Sequence, residues 1–245
     1  MADARSSLAL RLLDQFFVTG TVEHVEPIAR RILRIAIAAP ALRSSPYVPG
    51  QQVRVCVAGT TSRLGPLGVT LRTYSIWDHS GDGLELCVLD HGDGPGSAWA
   101  RTLKAGDAVR FSAPKGGFTL RPAKRHIFVG EETASVAFGA MLRALPPDAE
   151  IQGVVETDGP EDELPLPRGE RLLRLHRSGA AAYSSRPLAD AVAALDLNPD
   201  QAVAYVAGEA RTCQDVRRRL VETQGFDRRS VVVKPFWTPG KRGME

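Results

Sequence analysis

Alternation of apolar and polar residues predicts short strands through the first half of the chain. Over residues 52–58, valines at every second position alternate with Gln, Arg and Cys, the pattern of a strand with one buried face. Further strands are predicted at 71–77, 84–89 and 108–112, and β-branched residues are scattered over 21–37. Turn-forming residues separate these segments, and the run 79–83 is typical of a β-hairpin. Short strands at this spacing favour a closed antiparallel barrel.

The hydrophobic period changes after Pro122. Apolar runs of strand length occur at 126–130, 151–156, 172–176, 202–207 and 230–236, and they alternate with helix-length segments at 133–145, 187–195 and 210–223. Such alternation is typical of an α/β domain with a parallel sheet. We therefore predict an N-terminal β-barrel domain over residues 1–121 and a C-terminal α/β domain over residues 122–245.

Composition and charge exclude several classes of protein. The 245 residues include 31 Lys and Arg against 28 Asp and Glu, and a net charge of +3 is too small to indicate nucleic-acid binding. Charges interrupt every long apolar stretch, so neither membrane insertion nor a signal peptide is expected, and we predict a cytoplasmic protein. Because Cys56, Cys87 and Cys213 are far apart, neither a disulfide framework nor a protein metal site is predicted.

The segment Arg72-Thr73-Tyr74-Ser75 lies on a predicted barrel strand. Alternation places Arg72 and Tyr74 on one face and Thr73 and Ser75 on the other. A flavin dinucleotide needs a cation for its pyrophosphate, a flat side chain against its ring and small hydrogen-bonding groups near its ring nitrogens. The planar fork of an arginine suits the phosphate. An ordinary strand with an exposed Arg and a half-buried Tyr fits the same residues.

A glycine-rich segment, Asp90-His91-Gly92-Asp93-Gly94-Pro95-Gly96-Ser97, leads into a predicted helix at Ala98. Glycines let the backbone approach a ligand closely, and a helix N-terminus offers N–H groups and a positive dipole end to phosphate. A surface turn with Ser97 as the helix N-cap fits the same residues. The two motifs together indicate a dinucleotide site more strongly than either does alone.

These motifs resemble those of a known family. Arg72-Thr73-Tyr74-Ser75 is similar to the R-x-Y-[ST] flavin motif of the ferredoxin-reductase superfamily, and residues 91–100 resemble a signature of its siderophore-interacting branch, the ferric-siderophore reductases. Three later segments agree with that branch, namely Gly130-Glu131-Glu132-Thr133-Ala134, Ala207-Gly208-Glu209-Ala210 and Lys234-Pro235-Phe236-Trp237. The glycine-rich nicotinamide loop of the wider superfamily is replaced by the first of these segments.

The resemblance implies an FAD site. Arg72 would neutralise the pyrophosphate, Tyr74 would stack on the isoalloxazine ring, and Thr73 and Ser75 would hydrogen-bond the flavin. The other residues implied to contact the cofactor are Asp90, His91, Gly94, Pro95, Gly96, Ser97, Ala98, Glu131, Glu132, Thr133 and Trp237. Those implied for a nicotinamide nucleotide are Gly130, Thr133, Gly208, Glu209 and Ala210. No side chain is expected to act as a general acid or base, because the chemistry belongs to the cofactor.

Basic residues near the C-terminus suggest a site for an anionic substrate. Ferric triscatecholate complexes are strongly anionic, so Lys234, Lys241 and Arg242 are predicted to contact a ferric siderophore. Further upstream, Arg168, Arg171, Arg174 and Arg177 fit either a solvated strand edge or contacts to the phosphate of a nicotinamide nucleotide.

The resemblance implies an FAD-dependent ferric-siderophore reductase that takes electrons from NAD(P)H. Three other functions fit the same residues. The electron donor could be ferredoxin, since the basic C-terminal segment suits an acidic protein equally well. The substrate could be a free flavin or a quinone, or the chain could bind siderophores with little turnover.

Overall fold

The structure, a computed structural model, describes residues 17–57 and 70–241. The chain divides into two compact units, residues 1–116 and 117–245. The domain limits inferred from sequence, 1–121 and 122–245, stay a prediction. None of the helices in the described ranges has the length and apolar character needed to cross a membrane.

The first unit contains a closed six-stranded barrel, which confirms the predicted antiparallel architecture. Its strands are β1 (Phe17–Ala29), β2 (Ile32–Ala38), β3 (Gln52–Val57), β4 (Thr70–His79), β5 (Gly83–Leu89) and β6 (Ala108–Ser112), in the order β1-β2-β5-β4-β3-β6. The predicted hairpin joins β4 to β5, and Gly81 in its turn has a φ of 73°, which favours glycine.

The barrel interior is filled by the apolar face of each strand. Val53, Val55 and Val57 on β3 are buried in it, whereas Arg54 and Cys56 between them are only half-buried. Helix α1 (Pro95–Thr102) contributes Trp99 to the same core. Because this side chain is buried among the barrel residues, the start of α1 is held at a fixed place beside the barrel.

The second unit is a five-stranded parallel sheet with helices, which confirms the predicted α/β class. Its strands are β7 (Arg125–Glu131), β8 (Glu150–Thr157), β9 (Leu173–His176), β10 (Ala202–Glu209) and β11 (Val231–Trp237), in the order β11-β10-β7-β8-β9. The helices are α2 (Ser135–Ala144), α3 (Arg186–Ala194) and α4 (Ala210–Glu222). All pairings in this sheet are parallel, so the carboxyl ends of its strands lie along one edge.

Helical spacing explains how α3 and α4 cover this sheet. Leu188 and Val192 on α3, and Val216 and Leu220 on α4, are each four residues apart and therefore lie on one face of their helix. All four side chains are buried in one apolar cluster with β7 and β10 residues. Helix α4 begins directly after β10, so its first turn lies at the carboxyl edge of the sheet.

Candidate functional site

Arg72 and Tyr74 meet the start of α1 at Gly96. A β-carbon at position 96 would lie 2.2 Å from the Tyr74 hydroxyl and 3.6 Å from Cγ of Arg72. Both side chains therefore lie on the same side of β4, as alternation predicts. Glycine inside a helix costs about 1 kcal/mol relative to alanine. The close approach of Tyr74 is the structural reason for glycine at this position.

The ring of Tyr74 is held by its packing. It stacks on Trp99 with ring centroids 5.8 Å apart and an interplanar angle of 22°. Burial raises the pKa of Tyr74 to about 12, against the opposing effect of the Arg72 charge. Tyr74 is therefore a neutral, immobilised ring with Arg72 beside it.

Thr73 and Ser75 point to the other side of β4 and differ from each other. Thr73 is exposed. Ser75 is buried, and its hydroxyl accepts a hydrogen bond of 3.4 Å from Nε2 of Gln52. Arg72 itself donates from Nη1 to the carbonyl oxygen of Leu71 at 2.7 Å. The hydroxyl of Ser75 thus already has a protein partner.

Asp90 stabilises the glycine-rich loop through hydrogen bonds to its carboxylate. Its carboxylate accepts hydrogen bonds from Nη1 of Arg101 at 2.6 and 2.8 Å and from the N–H of Gly92 at 3.1 Å. These contacts, chiefly that from Arg101, hold the pKa of Asp90 below its usual range. Sequence reasoning singled out Asp90 but missed Arg101. An acidic residue before the loop and a basic residue on the following helix were the available signal.

Helix α1 begins at Pro95, and Gly94 rather than Ser97 is its N-cap. Ser97 lies inside the helix, where its hydroxyl accepts a hydrogen bond of 3.2 Å from the N–H of His91. The ring of His91 covers Gly94, since a β-carbon at 94 would lie 2.5 Å from its Cε1. The N-cap residue Gly94 provides no side-chain cap, and among the described residues the first-turn N–H groups of α1 are therefore available to donate to a phosphate.

In the second unit, four buried glutamates gather at the carboxyl edge of the sheet. Glu131 ends β7, Glu132 follows it, Glu156 lies near the end of β8, and Glu209 ends β10. None of the four is more than 4% exposed. Carboxylates are almost never fully buried unless they are paired, so each requires a partner.

Glu132 is paired with Arg177, which follows β9. Nη1 and Nη2 of Arg177 each donate to one oxygen of Glu132 at 2.6 Å, and Nη1 lies 3.6 Å from Oε2 of Glu156. Ser185 donates to the other oxygen of Glu156 at 2.6 Å. Only 6% of the Arg177 side chain is exposed, so the alternative of a solvated strand edge is wrong for this residue. Sequence reasoning did not connect it with Glu132.

Glu209 is the N-cap of α4. Its carboxylate accepts hydrogen bonds from the N–H groups of Arg211 and Thr212, both at 2.9 Å, and from the N–H of Ser184 at 3.1 Å. The first-turn N–H groups of α4 therefore already have an anionic partner. At Ala210 the helix begins, directly after this carboxylate.

Glu131 links the loop after β7 to the end of β11. Its Oε1 accepts from Nε1 of Trp237 at 2.9 Å, and its Oε2 accepts from the N–H of Thr133 at 2.9 Å. The hydroxyl of Thr133 also donates to Oε1. Burial and then the neighbouring charge of Glu132 raise the pKa of Glu131 to about 7. This carboxyl group can therefore change its charge close to neutral pH.

Two glycines allow this packing. Gly208 has a φ of 127°, and a β-carbon there would lie 2.6 Å from Oε1 of Glu131. At Gly130 a β-carbon would lie 2.5 Å from the carbonyl oxygen of Ala207 on the neighbouring strand. Both positions therefore require glycine for close packing, whatever ligand the edge binds.

The predicted substrate-binding residues lie at the C-terminal end of the chain. Lys234 is half-buried on β11, and Lys241 is exposed after it. Arg242 lies outside the described residues.

In the structure, predicted site residues lie close together in two separate groups. Arg72, Tyr74 and Gly96 come together on the barrel, and Glu131, Thr133, Gly208 and Trp237 come together on the sheet. A cation, a fixed aromatic ring and an uncapped helix start are the groups that a flavin dinucleotide needs, so the barrel site fits it.

Comparisons with known proteins agree with this chemistry. The model of the siderophore-interacting FAD-binding domain matches residues 66–118, and that of the siderophore-interacting protein matches residues 123–240. The siderophore-interacting protein SipS from Aeromonas hydrophila is a similar solved structure, with 26% identity and a TM-score of 0.77 over 91% of this chain and 98% of that one.

Two curated relatives are similar in sequence. Ferric vibriobactin reductase ViuB from Vibrio cholerae is 27% identical over 180 residues, which cover 72% of this chain and 65% of the relative. An uncharacterised protein from Mycobacterium bovis is 30% identical over 167 residues, which cover 63% of this chain and 59% of the relative. The chain therefore spans less than two thirds of the length of either.

Proposed function

Because this chain belongs to the siderophore-interacting protein family, we propose that it is a flavin-dependent reductase of ferric siderophores. In the proposed reaction, electrons from NAD(P)H reach Fe(III) in the siderophore by way of FAD, and Fe(II) is released. Hard catecholate or hydroxamate oxygens hold Fe(III) far more strongly than Fe(II), so one electron loosens the complex. Iron is the substrate here.

The packing at Gly96 is the observation that carries the proposal. It brings the Tyr74 ring and the aliphatic part of the Arg72 side chain, at Cγ, against the start of α1. Arg72 would bind the pyrophosphate together with the N–H groups of α1, and Tyr74 would present its ring to the isoalloxazine. Thr73 has an exposed side chain for a further hydrogen bond.

FAD supplies the redox chemistry, since it accepts two electrons from a donor and can give them up singly. The protein's share is to bind and orient the cofactor and to exclude other reactions. Tyr74 keeps its proton throughout, because burial raises its pKa to about 12. Tyr74 is therefore proposed as a binding group and not as an acid or base.

The remaining predicted contacts are part of the proposal. Gly130, Thr133, Gly208, Glu209 and Ala210 lie at the carboxyl edge of the sheet, where open α/β sheets bind ligands, and are proposed to form the nicotinamide site. The basic C-terminal residues are proposed to attract the anionic ferric siderophore.

The cytoplasm is the proposed compartment for this reaction. No disulfide joins Cys56, Cys87 and Cys213 within the described residues, and cysteines outside disulfides are typical of a reducing compartment. A cytoplasmic reductase would act on ferric siderophores after their uptake and release iron where it is used.

Protein carboxylates already bind N–H groups at the carboxyl edge of the sheet. This favours a second candidate, in which a protein such as reduced ferredoxin is the electron donor. The Glu209 carboxylate already accepts hydrogen bonds from first-turn N–H groups of α4, and the Glu131 carboxylate accepts one from the N–H of Thr133. Phosphates of a dinucleotide would meet a carboxylate at either place. A protein donor needs neither of these N–H groups.

Trapping of Fe(II) tests the proposal directly. FAD-loaded protein is mixed anaerobically with NADH or NADPH, a ferric siderophore and a chromophoric Fe(II) chelator. We expect chelator absorbance to rise at a rate proportional to enzyme, well above that with free FAD at the same concentration. An enzyme-dependent rate only with reduced ferredoxin would select the second candidate. No enzyme-dependent rate with either donor would contradict both.

A further inference from the structure

The Trp237 side chain has a buried carboxyl group as its hydrogen-bond partner. Indole Nε1 donates to Oε1 of Glu131 at 2.9 Å, although the residues lie 106 positions apart. Trp237 is the last residue of β11, and β11 is an edge strand with a ladder on one side only. An edge-strand terminus leaves the ring free to rotate unless side-chain contacts restrict it. The indole hydrogen bond is such a contact.

Glu131 is itself held rigidly. Thr133 donates to it through both its N–H group and its hydroxyl, and only 1% of Glu131 is exposed. The absence of a side chain at Gly208 leaves room for the carboxylate beside β10. A preorganised acceptor of this kind specifies the orientation of the donor that binds it.

From this geometry we propose that Glu131 is a positioning residue that fixes the Trp237 indole in the orientation used in ferric-siderophore reduction. The proposal rests on the proposed function and on the contact between Trp237 and FAD that the family resemblance implies. In this role Glu131 acts through Trp237, in place of the direct cofactor contact that the resemblance implies for it.

The surroundings of Glu131 make this positioning depend on pH. The titratable and charged groups around it are Glu132 in the same loop, Glu156 opposite it on β8, Arg177 after β9, Glu209 at the end of β10 and Cys213 on α4. Burial raises the pKa of the Cys213 thiol, which therefore stays neutral, and Arg177 stays charged. Glu131, with its pKa raised to about 7, is the group that contacts the indole and titrates near neutrality.

The sign of the pH dependence follows from the hydrogen bond. An ionised carboxylate accepts a charge-assisted bond that is roughly twice as strong as a neutral one. The indole is therefore held more firmly above a pH of about 7 and less firmly below it. We expect the reduction rate to rise as pH increases through this range.

Indole N–H resonances of the full, FAD-loaded chain report this contact without any turnover. The chain has 3 Trp residues, and the resonance missing from Trp237→Phe identifies Trp237. In the wild type this signal should shift with a midpoint near pH 7, and the shift should vanish in Glu131→Gln. Glu163→Gln is the matched control, since it removes a carboxylate that pairs with His176 instead. It should leave the titration unchanged.

Steady-state kinetics test whether the hydrogen bond between Glu131 and Trp237 affects turnover. Above neutral pH, Glu131→Gln should lower kcat about tenfold, as expected for the loss of one charge-assisted hydrogen bond, and should flatten the pH profile. Trp237→Phe breaks the same bond from the other side, so the double variant should be no slower than the slower single variant. Agreement between the two singles guards against a folding defect in either one.

The outcomes separate this inference from the proposed function. An active wild type whose Trp237 signal does not titrate would overturn the positioning role alone. The positioning role would also be overturned if the Trp237 signal of the wild type titrates fully but Glu131→Gln keeps the wild-type kcat and pH profile. A wild type that reduces no ferric siderophore with any donor would overturn the proposed function, and with it the catalytic part of this inference.

Discussion

Replacing Gly96 with alanine should weaken FAD binding without unfolding the barrel. The new β-carbon would lie 2.2 Å from the Tyr74 hydroxyl, so the ring must retreat by about 1 Å to reach van der Waals contact. Trp99 packs against that ring, and leaving its preferred rotamer costs Tyr74 about 1 kcal/mol. Alanine in a helix gains about 1 kcal/mol over glycine, so the stability of the fold should hardly change.

The loss should appear in cofactor affinity instead. Stacking of an aromatic side chain on a heteroaromatic ring contributes about 1–3 kcal/mol, so displacing Tyr74 should raise the Kd for FAD about 5- to 150-fold. Quenching of flavin fluorescence on titration with apoprotein measures the Kd, and thermal unfolding of the same samples measures stability. Gly117→Ala is the control, because nothing lies within 4 Å of a β-carbon at that position.

A rescue variant separates the hydroxyl collision from other effects of the substitution. Tyr74→Phe removes the hydroxyl, and the next ring atom, Cζ, is 3.5 Å from the new β-carbon, an ordinary contact distance. Gly96→Ala combined with Tyr74→Phe should therefore bind FAD as well as Tyr74→Phe alone. Wild-type affinity in Gly96→Ala, or no recovery in the double variant, would refute the assignment of this site.

Three further substitutions test other parts of the account. Arg72→Ala should yield protein that is folded but purifies without FAD, because a cation beside the phosphate is lost; full retention of flavin, measured from the absorption spectrum, would refute this role. Arg177→Met removes the bidentate partner of the buried Glu132 carboxylate and should cost about 3–5 kcal/mol, lowering Tm by roughly 10 °C, while Arg177→Met with Glu132→Gln should recover most of the loss. An equally low Tm in that double variant would argue against the ion pair. Lys234→Ala should leave flavin content unchanged and raise KM for an anionic ferric siderophore, as steady-state kinetics would show, and an unchanged KM would make Lys234 purely structural.

Local patterns were enough to predict the architecture. The strand predicted at 108–112 is β6, Ala108–Ser112, because alternation and flanking turns depend only on neighbouring residues. The helix predicted from 133 begins at Ser135 instead. The carboxylate of Glu131 binds the N–H of Thr133 and holds the preceding residues in a loop. Such side-chain contacts to the backbone leave little trace in hydrophobic periodicity.

In the candidate site, too, features set by neighbouring residues could be predicted from the sequence, whereas long-range contacts could not. Placing Arg72 and Tyr74 on one face followed from the period of a strand, and the glycine-rich segment was visible as a candidate ligand-binding turn. The pairing of Glu132 with Arg177 spans 45 positions, and no spacing rule relates them. Trp237 was expected near a cofactor, but its bond to Glu131 depends on the order of strands in the sheet. Long-range pairs of this kind become visible only once the fold is known.

The absorption spectrum of the purified protein, followed anaerobically, tests the central claim most directly. The account predicts a flavin spectrum that bleaches on addition of NADH or NADPH, or of reduced ferredoxin if a protein is the donor. It also predicts that the flavin absorbance returns when a ferric siderophore is added. Absence of flavin absorbance even after incubation with FAD, or a bleached flavin that a ferric siderophore does not reoxidise, would contradict it.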